Sequence, residues 1–141
     1  MNRSIDQARE VLRAQPFSQL VQAELAQYTP EGVELALPIT AQVQQQHGFV
    51  HGGVVSYLAD NALTFAGGTA LGAGVVTSEY KINYVRPALG VRLVARASVL
   101  HAGRSQAVCR CEVYAVNAEG AHKLCAVAQG TIALMGTSQS A

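Results

Sequence analysis

Hydrophobic and polar positions change period along this chain, and each change marks an element. In residues 4–14, Ile5, Ala8, Val11 and Leu12 recur at helical spacing behind Ser4, a good N-cap, which predicts a short amphipathic helix. Gln15 and Pro16 end it, because a residue before proline resists the helical region. Val21, Ala23 and Leu25 then alternate with polar neighbours. Thr29, Pro30, Glu31 and Gly32 read as a turn, and Val33, Leu35, Leu37 and Ile39 alternate again, so residues 19–39 read as a hairpin. The polar stretch 40–47 is a loop. Residues 53–69 form the one long apolar segment, with helical length and apolar residues almost all round, so most of its faces are expected to be buried. Ser56, Asp60, Asn61 and Thr64 alone interrupt it, and Gly67, Gly68, Gly72 and Gly74 punctuate its exit.

From residue 75 onward the pattern is strand. Residues 75–86 place Tyr80, Ile82 and Tyr84 on one face and Thr77, Glu79, Lys81 and Asn83 on the other. Residues 91–101, 105–117 and 121–134 predict three more strands, joined by the turns 101–104 and 117–120. Tight turns make these strands antiparallel neighbours. The order is helix, two strands, long buried helix, four strands, an α+β layer whose sheet must curl around the apolar helix. One domain is expected over residues 1–141, with a core of about 17–135 and a disordered tail over the last six residues.

Composition narrows the function. Half of the 141 residues are apolar and only 13% are charged, which leaves little to solvate a lone subunit and points to self-association. A net charge of +1 with no basic run argues against nucleic acid as a partner. The polar first ten residues lack the apolar stretch of a signal peptide, and Asp60, Asn61 and the glycines break every apolar run, so no membrane span is expected. Cys109, Cys111 and Cys125 are odd in number and sit in strand-like segments, which reads as buried reduced thiols in a cytoplasmic protein.

The candidate chemistry gathers between His47 and Asp60. His47 and His51 have the i, i+4 spacing of a zinc pair, but Gly48 stands where a metalloprotease has its glutamate, and both precede the helix, so no metal is expected. Gly72 and Gly74 lead into a strand rather than a helix, which makes them a turn and not a dinucleotide loop. Ser56 lacks the glycine frame of a hydrolase elbow and reads as a helix residue bonded to backbone. Arg86 and Arg104 stand beside turns, where a guanidinium pair could hold phosphates at the mouth of a site. Gly52 and Gly53 are the strongest feature. They open the long helix, whose first N–H groups and dipole suit a developing oxyanion such as that of a thioester carbonyl. Asp60, costly to bury charged, could activate water or attack directly. It lies about 12 Å along the axis from residue 52. That separation suggests that the two groups serving one thioester come from different subunits of a symmetric dimer.

Gln45, His51, Gly52, Gly53 and Asp60, followed by Asn83, Tyr84, Val85, Arg86 and Pro87, resemble the hotdog-fold acyl-CoA thioesterases over residues 17–135, and within them the phenylacetate-pathway (PaaI-like) group related to 4-hydroxybenzoyl-CoA thioesterases. The resemblance implies a curved antiparallel sheet wrapped around one helix, and a homodimer commonly paired into a tetramer. It implies hydrolysis of an acyl- or aryl-CoA to acid and free CoA, with no metal or redox cofactor. Gly52 would polarise the carbonyl, His51 would shape that pocket, and Asp60 of the partner subunit would be nucleophile or general base. Thr77 would help hold the water or carboxylate, and Gln45 would orient substrate or water. Gly53, Asn83, Arg86 and Arg104 would contact the substrate or its coenzyme A. A hotdog hydratase or dehydratase and a non-catalytic acyl-CoA-binding protein are the competing readings.

Overall fold

The computed structural model describes residues 3–136, so the last five residues of the tail, expected to be disordered, lie outside the described residues. Helix α1 (Ile5–Arg13) is opened by a capping box. Ser4 accepts from the Gln7 N–H while the Gln7 side chain accepts from the Ser4 N–H, at 3.2 and 2.9 Å. Pro16 does not simply end this helix. It also starts a second, one-turn helix α2 (Pro16–Leu20), where its missing N–H is no loss. The expected strand start at residue 19 is therefore displaced, and Gln22, at φ 62°, turns the chain into β1 (Glu24–Thr29). Strand β2 (Gly32–Pro38) completes the hairpin.

The long helix α3 (Gly52–Leu71) is followed by β3 (Val75–Tyr84), β4 (Arg92–Ala102), β5 (Gln106–Val116) and β6 (His122–Leu134). All six strands form one antiparallel sheet in the order β1-β2-β4-β5-β6-β3, curved around α3. This is the hotdog architecture. Helix α3 runs through Gly67 and Gly68 rather than stopping there. A Cβ at Gly67 would lie 2.6 Å from Ile132 Cβ, so the glycine lets the helix press directly onto β6. Val55, Leu58, Ala62, Leu63 and Ala66 of α3 are buried against Leu35, Leu93, Ala95, Val113 and Ala126 of the sheet. Burying that apolar area is the main term holding the sheet around the helix. Among the described residues no helix is long and apolar enough to cross a membrane.

The three thiols lie under the sheet, each no more than 1% exposed. Burial pushes Cys109 and Cys125 up to about 11, and pushes Cys111 up to about 12 with help from the Glu112 carboxylate. All three therefore stay protonated and unreactive near neutrality. Native protein at pH 8 is expected to leave them unlabelled by a thiol reagent over minutes, and denaturant is expected to release all three. Because the folded chain holds these protons more tightly than the unfolded one, stability is full below about pH 9 and falls as pH rises toward 11.

Candidate active site

The loop before α3 is built by its own backbone. The Gln45 N–H donates to the Phe49 carbonyl at 2.8 Å, and the Gly48 N–H donates back to the Gln45 carbonyl at 3.0 Å. The Gln45 side-chain oxygen accepts from the His47 N–H, which leaves its amide NH2 available as a donor. The His51 and Val50 N–H groups donate to the Val43 and Ala88 carbonyls, pinning the loop's exit at the first turn of α3.

His51 is the N-cap of that helix. The Gly53 N–H donates to its Nδ1 at 2.9 Å. A backbone amide can only donate, so the neutral ring carries its proton on Nε2 and offers an N–H of its own. Gly53 permits this cap, since a Cβ there would lie 3.0 Å from Nδ1. Gly53 thus spends its N–H within the chain. The Val54 and Val55 N–H groups donate to the His51 carbonyl. Among the described residues the Gly52 N–H has no acceptor, and it stands at the positive end of a 20-residue helix. A cavity of about 380 Å³ opens beside Gly52, bordered by Gln45, Tyr84 and Arg86.

Asp60 lies two turns further along α3, half-buried, on the face turned to β3. That face carries a row at i, i+4 spacing: Gly52, Ser56, Asp60 and Thr64. Each member meets a hydroxyl of β3 or its reach. Tyr84 donates to the Gly52 carbonyl at 3.0 Å, Tyr80 pairs with Ser56 at 2.5 Å, and Thr77 donates to Asp60 Oδ1 at 2.6 Å. Thr77 and Thr64 lie 2.9 Å apart. With Thr77's single proton committed to the carboxylate, Thr64 is the donor of that pair and shares its proton with the Asp60 carbonyl, also at 2.9 Å.

Two expectations are corrected here. Simple alternation put Thr77 on the face opposite Tyr80. A register shift between Thr77 and Glu79 against β6 inserts one extra residue, so Val75, Thr77, Tyr80 and Ile82 all face α3. Ser56, expected to bond its own backbone, instead pairs its hydroxyl with Tyr80 of β3. Thr64, Tyr80 and Tyr84 were given no role in the site from the sequence, though Tyr84 stood in the motif that carried the resemblance and Thr64 among the polar breaks of the helix. The i, i+4 spacing of polar residues in an otherwise apolar helix was the available signal for Thr64.

The structure brings Asp60 and Thr77 together, and Gly52, Gln45 and Arg86 together around one cavity that the exposed His51, expected to shape it, does not border, but within one chain it keeps the two groups apart. Arg86 donates to the Leu124 carbonyl at 3.0 Å and borders the Gly52 cavity. Arg104 sits in the turn between β4 and β5, at the far end of an 11-residue strand from the Arg86 side, roughly 30 Å away. Asn83 faces away from α3, beside Lys81 on the outer surface of the sheet. Asn61, next to Asp60, turns to the other side and donates to Gln15 at 3.0 Å and Tyr57 at 3.2 Å, tying α2 to α3. Among the described residues, Asp60 has no ion-pair partner.

The carboxylate held by a hydroxyl on the buried helix, the Gly52 N–H at that helix's start and the sheet wrapped around both make up a hotdog domain. The chain belongs to the thioesterase superfamily, whose pattern matches residues 47–121, and thioester hydrolysis is the class of chemistry this supports. It is 34% identical over 101 residues to a putative esterase of Deinococcus radiodurans, covering 71% of this chain and 68% of that protein. It is similar to the crystal structure of a thioesterase family protein from Silicibacter pomeroyi, at 33% identity and a TM-score of 0.85 over 94% of this chain and 98% of that one. The PaaI protein of the E. coli phenylacetic acid degradation operon shares the fold, at 24% identity and a TM-score of 0.78 over 93% and 92% of the two chains.

Proposed function

We propose that this protein hydrolyses acyl- or aryl-CoA thioesters at two sites shared across a homodimer. The observation that carries the reading is the pairing of a Thr77-held Asp60 with an unspent Gly52 N–H on the same helix, two turns apart. The thioester carbonyl docks at the Gly52 N–H, and the neighbouring His51 ring, held by the Gly53 N–H, has an Nε2–H to turn toward bound substrate as a second donor. As the carbonyl carbon becomes tetrahedral, its oxygen gains negative charge, which these donors and the helix dipole stabilise. Thr77 occupies Oδ1 of Asp60, so Oδ2 either takes a proton from the attacking water or attacks the carbon directly. Collapse breaks the C–S bond. With water as the nucleophile, Asp60 hands the proton it took to the departing thiolate, and the acyl group leaves as the acid. With Asp60 as the nucleophile, C–S cleavage leaves an acyl anhydride on Asp60. Water hydrolyses it to the acid and the free carboxylate, the water's proton going to the thiolate. The coenzyme enters as part of the substrate and leaves as the free thiol, and the step uses only amide, imidazole, carboxylate and water.

Strand β3 is the edge of the sheet and has ten residues. Among the described residues its outer edge has no partner strand, and Val76, Tyr84 and Val85 near it are 45%, 55% and 54% exposed. Antiparallel pairing of two β3 edges about a two-fold axis sets the Tyr84 end of one strand against the Thr77 end of the other. Gly52 bonds to the first end and Asp60 to the second, so the pairing closes the gap that one helix leaves.

Mixed dimers test the shared site. An Asp60→Asn subunit and a Gly52→Pro subunit, each inactive alone, are expected to recover about one quarter to one half of wild-type thiol release when refolded together. The mixed dimer then owns one intact site. No recovery in dimers confirmed to be mixed would place each site within one chain.

A further inference from the structure

Resting on the thioesterase reading, we infer that Tyr84 is a positioning residue for the oxyanion donor, holding the Gly52 N–H where the thioester oxygen gains its charge. Two consecutive glycines open α3, and glycine has the widest backbone freedom of any residue. The first turn of a helix also lacks intrahelical partners for its N–H groups. An oxyanion donor must nevertheless be held to within about 0.5 Å of its working place. The order that the glycine pair does not supply has to come from its surroundings.

Both peptides that flank Gly52 are anchored. The His51–Gly52 peptide carries the donor N–H, and its carbonyl accepts from the Val54 and Val55 N–H groups at 2.9 and 3.3 Å. The Gly52–Gly53 peptide is gripped at both ends. Its N–H donates to His51 Nδ1 at 2.9 Å, and its carbonyl accepts from the Tyr84 hydroxyl at 3.0 Å. Three of these grips come from the helix and its own N-cap, so they move with it. Tyr84 alone among them reaches in from the sheet. A Cβ at Gly52 would lie 3.6 Å from Cε1, Cζ and the hydroxyl oxygen of Tyr84, so the ring packs against the glycine as well as bonding to it. Tyr84 can serve as a fixed post because its own backbone is held. It is the last residue of β3 and pairs with Ala126 of β6. Just beyond it, the Val85 and Arg86 N–H groups both donate to the Cys125 carbonyl, at 2.9 and 3.4 Å. Tyr84 borders the cavity at Gly52, but its one hydroxyl proton is committed to the Gly52 carbonyl, so it acts through Gly52 rather than on the substrate oxygen.

Tyr84→Phe is the direct test, since it removes the hydroxyl and keeps the ring beside Gly52. It is expected to lower kcat for thiol release about tenfold with KM within about twofold of wild type, because a misplacement of about 1 Å costs on the order of a hundredfold and this one is smaller. Loss of one hydrogen bond at an exposed side chain should leave the fold intact. Combination with Gly52→Pro separates positioning from any other role. In a Gly52→Pro chain there is no N–H left to position, so adding Tyr84→Phe should cost less than about twofold further. Unchanged kcat in Tyr84→Phe alone, or the full tenfold loss on top of Gly52→Pro, would overturn the assignment. A Gly52→Pro chain as active as wild type would overturn it too, by removing the donor that Tyr84 holds. Each of these results leaves thiol release, and hence the thioesterase reading, intact.

Discussion

Asp60→Asn is expected to lower kcat for thiol release by about a thousandfold, the usual size for a positioned base or nucleophile. The amide matches the carboxylate in volume and can still accept the Thr77 hydroxyl, so the fold should survive. With no ion pair at Asp60 among the described residues, thermal unfolding should move by only a few degrees. Thr77→Val separates holding the carboxylate from doing the chemistry. It removes one hydrogen bond to a charged group, and kcat should fall about tenfold to a hundredfold. Full turnover in Asp60→Asn would end the case for a catalytic carboxylate.

The second large effect is at Gly52. Gly52→Pro is expected to reduce kcat by a factor of about 100 to 1,000, the cost of losing one oxyanion donor. Position 52 is the first residue of α3, where proline fits and where the deleted N–H had no partner among the described residues. His51, at φ −57° and ψ 132°, already has the extended backbone that precedes proline well. Gly52→Ala is the control. It keeps the N–H, and its Cβ would rest 3.6 Å from the Tyr84 ring, an ordinary contact, so activity should stay within a few-fold of wild type. Equal activity in the proline and alanine variants would remove the Gly52 amide from the reaction.

Much of this site was legible in the chain because its parts are local. A glycine pair opening an apolar helix, and a lone carboxylate eight residues on, are visible as spacing. The period also showed which helix the sheet must cover. Local reading stumbled where one residue did two jobs. Pro16 both stopped α1 and began α2, and the alternation at residues 21–25 looked like strand from residue 19. The helix was read through Gly67 and Gly68 to residue 69, two short of its end, but why a glycine stands at 67 showed only in the fold, where Ile132 presses against it.

The amino-acid sequence by itself determined the order of the six strands around the long helix, that helix's burial and the positions of Gly52 and Asp60 on it, because helical period and glycine stereochemistry act over a few residues. Only the tertiary structure decided what Asp60 touches. The register shift between Thr77 and Glu79 exists only when β3 pairs with β6, and that shift turns Thr77 from the outer face onto the carboxylate. Likewise only the folded sheet carries Arg104 away from Arg86 and sets Tyr84 against Gly52, because strand pairing and helix packing join residues far apart in the chain.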